Sequence, residues 1–177
     1  MRTGEVADGG TPPAPAARAP VTAIHHDRFT YPLPAGHRFP LGRYRMLREE
    51  LTGDPAVLLR EARPATDHEL ARAHEPAYLT RAIAGGLSAH EQAALGLPWS
   101  PELVERARRS TGATIEAAWA ALADGAGINL GGGTHHAAPG EGRGFCMFND
   151  VVCAIRSLRA DGMLGRVAVV DTDVHQG

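Results

Sequence analysis

Two aspartates and a histidine alternate in Asp171-Thr172-Asp173-Val174-His175, directly after the run Arg166-Val167-Ala168-Val169-Val170. In an extended segment alternate side chains share a side, so Asp171, Asp173 and His175 would face one way. Neighbouring members of the set are then about 6.6 Å apart at Cα, and the outer two about 13 Å. Carboxylate and imidazole are both metal-ligating groups. Asp173 and His175 can therefore converge on one ion, with bonds of roughly 2.0–2.2 Å. Asp171 lies too far for the same ion unless the backbone curls, and orienting a histidine suits it better. Taken alone, D-x-D-x-H is equally a polar strand end whose carboxylates cap helices or pair with arginines.

A second set is Gly131-Gly132-Gly133-Thr134-His135-His136. Adjacent histidines point apart in a strand but can converge in a loop, and the glycines allow close backbone approach. Two histidines in one pocket can act as a general base and its electrostatic partner, one of them neutral near pH 7. A solvated surface loop is the plain alternative. His25-His26 shows that the dipeptide is cheap in this sequence, and that pair reads as a polar strand end. The third set is Gly142-Arg143-Gly144-Phe145-Cys146-Met147-Phe148-Asn149-Asp150. Gly144-Phe145 can form an aromatic wall beside a substrate, or simply a loop glycine and a core phenylalanine. Cys146 and Cys153 read as small buried hydrophobes, because nothing adjacent in sequence lowers a thiol pKa. His68, His74 and His90 read as solvated or capping residues.

The elements that must position these groups alternate between short apolar runs and helices. Val21–Ile24 and Val57–Leu59 read as strands. Leu41 to Leu51 reads as a helix with Met46, Leu47 and Leu51 on one face and Gly53 as its stop. Asp67 is a candidate N-cap for a short helix through Arg72, and Pro76 opens another that carries Tyr78, Leu79 and Ile83 toward Gly85-Gly86. The clearest helix runs from Pro101 to about Ala123 with Ser100 as cap. Its predicted buried stripe is Leu103, Ala107, Thr111, Ile115, Ala118, Trp119 and Leu122. Ile128–Leu130 is a short apolar run. Asn149 caps a helix through about Ala160, with Val151, Val152, Ile155 and Leu158 inward. Residues 166–171 read as a strand covered on both faces. Helices alternating with such runs predict an α/β fold with a parallel sheet, whose ligand sites lie beyond the carboxyl ends of the strands.

The chain has 177 residues, enough for one domain with a sizeable core. Its 18 basic residues are all arginine, so no Schiff-base or P-loop lysine is available. Against 20 acidic residues the net charge is -2, which argues against a generally basic nucleic-acid binder. No apolar run reaches the roughly 18 residues of a membrane span, so no membrane partner is expected. Residues 1–20 are rich in Gly, Ala and Pro and read as a disordered leader without a signal-peptide core. Two cysteines at helix-like spacing make no disulfide framework, which fits a reducing cytoplasm.

In their order along the chain, these sets are G-G-G-x-H-H, G-F-C-x-x-N-D, a helix, and an apolar run ending D-x-D-x-H-x-G. That order resembles the zinc-dependent histone deacetylase superfamily, with its bacterial acetoin-utilisation and acetylpolyamine amidohydrolase branches. The specific match covers residues 131–177, and weaker similarity covers 25–39, 74–79 and 97–109. The resemblance implies a three-layer arginase/deacetylase-type α/β fold with a central, mainly parallel sheet. It is truncated here, residues 21–177 forming the N-terminal part of a deacetylase domain. It implies a hydrolase that removes an acetyl group from acetyl-lysine or a related acetylated amine. Asp173 and His175 then match two of three Zn2+ ligands. His135 and His136 match the tandem catalytic histidines, with His136 preferred as general base, and Asp171 matches the carboxylate that holds His135. Gly144 and Phe145 match the wall of the acyl-lysine tunnel. The main-chain carbonyls of Asp171, Asp173 and His175 match a structural K+ site. The third zinc ligand, the aspartate behind the second histidine and the oxyanion-stabilising tyrosine are expected beyond Gly177, so these residues alone are expected to be inactive. An arginase-like dinuclear manganese hydrolase would order the motif D-x-H-x-D. A non-catalytic acyl-amine-binding pseudo-enzyme is the other alternative.

Overall fold

The computed structural model describes residues 19–163 and 165–175; most of the expected leader, and Gln176 and Gly177, lie outside the described residues. Three strands form a parallel sheet in the order β2-β1-β3, where β1 is Val21–His25, β2 is Val57–Glu61 and β3 is Gly127–Asn129. Val21 pairs with Val57 and Ala23 with both Leu59 and Ile128, which puts β1 in the middle. Its Thr22, Ala23 and Ile24 are all buried, as a strand covered on both faces requires.

Among the described residues six α-helices accompany the sheet: α1 (Gly42–Leu51), α2 (Asp67–Ala71), α3 (Pro76–Ala84), α4 (Ala89–Leu95), α5 (Pro101–Asp124) and α6 (Asp150–Ala160). Local chemistry sets their ends. Ser100 caps α5 through the Leu103 N–H with Pro101 behind it, and the Asn149 side chain caps α6 through the Val152 N–H. The core joins Ile24 and Phe29 to Tyr78, Leu95, Leu97, Leu103, Ile115, Met147, Phe148 and Leu158. Among the described residues no helix is long and apolar enough to cross a membrane.

Several expectations are corrected. The cap of α2 is Thr66, not Asp67: Thr66 and Glu69 form a reciprocal capping box, and Asp67 is already helical. Helix α4 was unforeseen, although Ser88 and Glu91 make the same box. On α1, Met46 and Leu47 are exposed and Tyr44 is the buried residue, because Phe29 and Arg106 pack on that side. Trp119 and Leu122 on α5 are also exposed, whereas Ala117 and Ala120 are buried, so the covered face of the last turns lies to one side of the expected stripe. On α6 the buried positions are Asp150, Cys153, Ala154, Ser157 and Leu158, with Val151, Val152 and Ile155 only partly covered. The largest correction concerns residues 166–171. Among the described residues no strand pairs with them, and Val169 and Val170 are 61% and 85% exposed. β-branched composition favours a strand but cannot replace a ladder partner. The run instead borders an apolar cavity of about 470 Å³ against Ala118 and Leu122 of α5 and Ala154 and Leu158 of α6.

Candidate active site

The loop after β3 is fixed before its histidines begin. Asn129 accepts the Gly131 N–H and donates to the Ser110 carbonyl, and the Ser110 hydroxyl donates to the Gly131 carbonyl at 2.6 Å. Asp150, the first residue of α6, is fully buried. Its carboxylate accepts the Gly133 and Thr134 N–H groups (3.0 and 2.8 Å) and the hydroxyls of Thr134 and Thr114 (2.7 and 2.5 Å). Four donors on one buried carboxylate offset its desolvation and pin Gly133 and Thr134 to the start of a helix.

His135 and His136 emerge from that anchor and turn toward each other, with their Nε2 atoms 3.1 Å apart. His135 Nδ1 stands 2.6 Å from Asp171 Oδ2. The carboxylate can only accept, so Nδ1 carries the proton in that contact. Asp171 Oδ1 accepts the Asp173 N–H at 2.9 Å, and Asp173 Oδ1 accepts both the N–H and Nδ1–H of His175, each at 2.8 Å. The rings of His136 and His175 lie 6.2 Å apart. The five residues of the two motifs therefore stand together at the carboxyl side of the sheet. Asp171, Thr172 and Asp173 share a cavity of about 570 Å³ with His135 and Asn149.

These contacts set the local charges. The Asp173 N–H, then His135, hold the Asp171 carboxyl below its usual range. The His175 N–H, then its ring, do the same for Asp173. Desolvation, then the neighbouring His135 and His175, lower the pKa of His136.

Gly144 and Phe145 adjoin the histidines. Gly144 has φ +54°, and a Cβ there would come within 2.7 Å of the His136 ring. Phe145 has φ +69°, a conformation that costs an L-residue about 1–2 kcal/mol. Two backbone bonds to the end of α4, Gly144 N–H to Ala94 O and Phe145 N–H to Leu95 O, hold it there. Its ring packs 5.1 Å from Phe39, with the Arg38 guanidinium 5.3 Å from its centroid.

Residues 37–177 match the family model described as a histone deacetylase domain. The chain belongs to the histone deacetylase family. It is 39% identical over 157 residues to an uncharacterized protein of Picosynechococcus, covering 87% of this chain and 52% of that protein. It is 37% identical over 156 residues to a histone deacetylase-like amidohydrolase of Pseudomonas aeruginosa, covering 82% and 40%. An acetoin utilization protein of Staphylococcus xylosus is 37% identical over 125 residues. The chain thus spans about half the length, or less, of these curated relatives. A solved histone deacetylase homolog from Aquifex aeolicus superposes with a TM-score of 0.63 at 24% identity, over 81% of this chain and 42% of that one, which establishes a shared fold.

Within this histone deacetylase family chain, one histidine departs from its sequence reading. His74 is 3% exposed and fully partnered, not solvated. It and Asp150 were missed as site-building residues. The signal for Asp150 was its place in N-D at a helix start; His74 had only its H-x-P-x-Y-L context. Cys146 and Cys153 are buried thiols whose pKa values burial raises, that of Cys153 to about 12.

Proposed function

We propose that this chain supplies part of the active site of a zinc-dependent amidohydrolase that releases acetate from acetyl-lysine or a related acetylated amine. The observation that carries the reading is the continuous contact from Asp171 through His135 to His136, set beside the Asp173–His175 pair. The donor chemistry of that pair fits a zinc-type ion: one carboxylate oxygen and one imidazole nitrogen, both ordinary zinc ligands, already adjacent. Among the described residues no three His, Cys, Asp or Glu side chains converge on one metal position, so the proposed pair stands as two donors. A bound zinc ion would polarise the acetyl carbonyl and acidify a water molecule.

The remaining roles fall to side chains of this chain. Asp173 and His175 would hold the metal. His136 takes the proton of the attacking water, the step that general-base catalysis assists. Asp171 holds the proton of His135 on Nδ1, so that His135 Nε2 faces His136 and the reacting centre. His135 then shares the positive charge as it develops, and the proton that His136 has taken from water can pass to the departing amine. Phe145, braced by Phe39, walls the channel through which the acyl chain enters. The two buried thiols suit work in a reducing cytoplasm.

The test is acetate release from an acetyl-lysine peptide and from acetylated amines by the metal-free full-length protein, before and after adding zinc. Zinc-restored acetate release is expected. A protein that binds zinc yet releases acetate from none of these substrates would refute the proposal.

A further inference from the structure

The buried His74 lies at the join of α2 and α3, outside every motif that carries chemistry, yet it is wired into the histidine loop. Its Nε2 accepts the N–H of Asn149 at 2.9 Å, and its Nδ1 stands 3.0 Å from the carbonyl oxygen of Ala138. The first contact requires a bare Nε2. The second requires a proton on Nδ1, because a carbonyl only accepts. Both conditions are met by one species, the neutral Nδ1–H tautomer. The ring is packed 5.6 Å from both Tyr78 and Phe148, and Tyr78 donates to the Met147 carbonyl at 2.8 Å. The adjacent Glu75 N–H donates to the Pro139 carbonyl at 2.8 Å, so residues 74–75 grip residues 138–139 at two points.

What His74 grips matters for the site. Asn149 is a three-way node. Its backbone N–H goes to His74, its side-chain carbonyl caps α6 at Val152, and its side-chain amide donates to the carbonyls of His135 and Ala137 at 3.3 and 3.0 Å. His74 thus touches the loop after the tandem histidines directly at Ala138, and indirectly at His135 through Asn149.

We infer that His74 is a positioning residue, which spans the Ala138 carbonyl and the Asn149 amide as the Nδ1–H tautomer and so fixes the backbone from which His135 and His136 project. It touches neither substrate nor metal donors. Its effect on turnover rests on the deacetylase reading above; its effect on the loop does not.

Two substitutions separate the two ends of the ring. In His74→Gln the side-chain oxygen reaches about as far as Nε2 and keeps an acceptor for Asn149. In His74→Asn the amide reaches only about as far as Nδ1, keeps the donor to Ala138 and strands the Asn149 N–H. Imidazole ¹⁵N spectra of the unmodified protein are expected to show His74 neutral at pH 7 with its proton on Nδ1. In the Asn variant, the Asn149 amide and the His135 ring signals are expected to shift, and to return near their original positions in the Gln variant. In the full-length, zinc-loaded protein the Asn variant should lose about 10- to 100-fold in kcat at unchanged KM, since small misplacements of catalytic groups cost that much. The Gln variant should recover most of that loss. A His74 proton on Nε2, or unshifted Asn149 and His135 signals in the Asn variant, would overturn the inference. So would equal kcat losses in the two variants. If no form of the protein releases acetate, the deacetylase reading fails, and the spectra still decide the role of His74.

Discussion

Asp171 accepts two hydrogen bonds, one on each oxygen, and they do different things. His135 Nδ1 on Oδ2 fixes a tautomer; the Asp173 N–H on Oδ1 starts the turn that brings Asp173 and His175 level with the tandem histidines. The roles proposed for these residues make separable predictions. His136→Ala should abolish turnover while leaving metal content near that of the parent, because His136 is a base and not a donor. Asp173→Ala should lose the metal as well. Metal analysis of the two purified full-length variants checks this, and equal metal loss would refute the division. His74 gives a prediction about stability. Burial, the largest cause, lowers its pKa below the usual 6.5. The unfolded chain therefore binds a proton as pH falls through about 6.5, while the folded chain resists until lower pH. The stabilisation is complete above that value and is lost as pH falls toward the folded pKa. Urea midpoints between pH 7.5 and 5.5 should fall more steeply for the parent than for His74→Gln; parallel slopes would refute the assignment. The motif residues were legible in the sequence because type and spacing alone carry their chemistry. His74 was not, because its partners are backbone groups 64 and 75 positions away. Asp150 hid for the same reason, with partners 16 and 36 positions off.

Helix α5 organises the elements, and one of its close contacts is through a residue without a side chain. A Cβ on Gly112 would come within 2.1 Å of the Arg63 carbonyl oxygen and 3.0 Å of the Ala65 nitrogen. That segment cannot retreat easily. The Ala65 N–H bonds the Arg108 carbonyl at 2.8 Å, and the Arg63 N–H bonds the Glu116 carboxylate at 3.1 Å. Alanine gains about 1 kcal/mol of helix propensity over glycine. Overpacking against fixed backbone costs about 1–3 kcal/mol, so the clash outweighs the gain. Gly112→Ala should therefore lower the urea midpoint. Gly42, where a Cβ meets nothing within 4 Å, should tolerate alanine or gain from it, by at most about 1 kcal/mol. A Gly112→Ala protein as stable as its parent would show that α5 does not sit where this contact puts it. Elements with local signals were legible: Ser100-Pro101, Asn149 and Pro76 each mark a helix start that the structure contains. What pairs with or covers an element was not. Met46, Leu47 and Trp119 fit an apolar stripe by spacing, but the face that meets the core is chosen by neighbours remote in sequence. Residues 166–170 have a strand's composition and no partner among the described residues.

At the scale of the molecule, the parallel α/β architecture followed from alternation of apolar runs and helices, and the sheet order β2-β1-β3 bears it out. That sheet sets the loop after β3 at its carboxyl end, and the segment 171–175 meets the loop there through the Asp171–His135 contact, where the site forms. The chain spans 52% of its Picosynechococcus relative and 40% of the Pseudomonas amidohydrolase. The last prediction compares the 177 residues alone with a chimera carrying the remainder of the Picosynechococcus relative after Gly177. Among the described residues the proposed site has two donors where a catalytic zinc site takes three protein ligands, so the 177 residues alone should hold zinc more weakly. One missing oxyanion donor typically costs about 10²–10³ in rate, so its turnover should be lower by at least that factor. Its surface should also differ. Val169, Val170 and Val174 are exposed, and the cavity of about 470 Å³ under residues 167–170 is almost wholly apolar-lined. Such a patch invites self-association and binds hydrophobic dyes. The chimera should bind less dye, stay monodisperse at higher concentration, retain stoichiometric zinc and release acetate. Equal zinc retention and acetate release by the 177 residues alone would show that the catalytic machinery lies within them, and that the roles assigned to His136, Asp173 and His175 need revision.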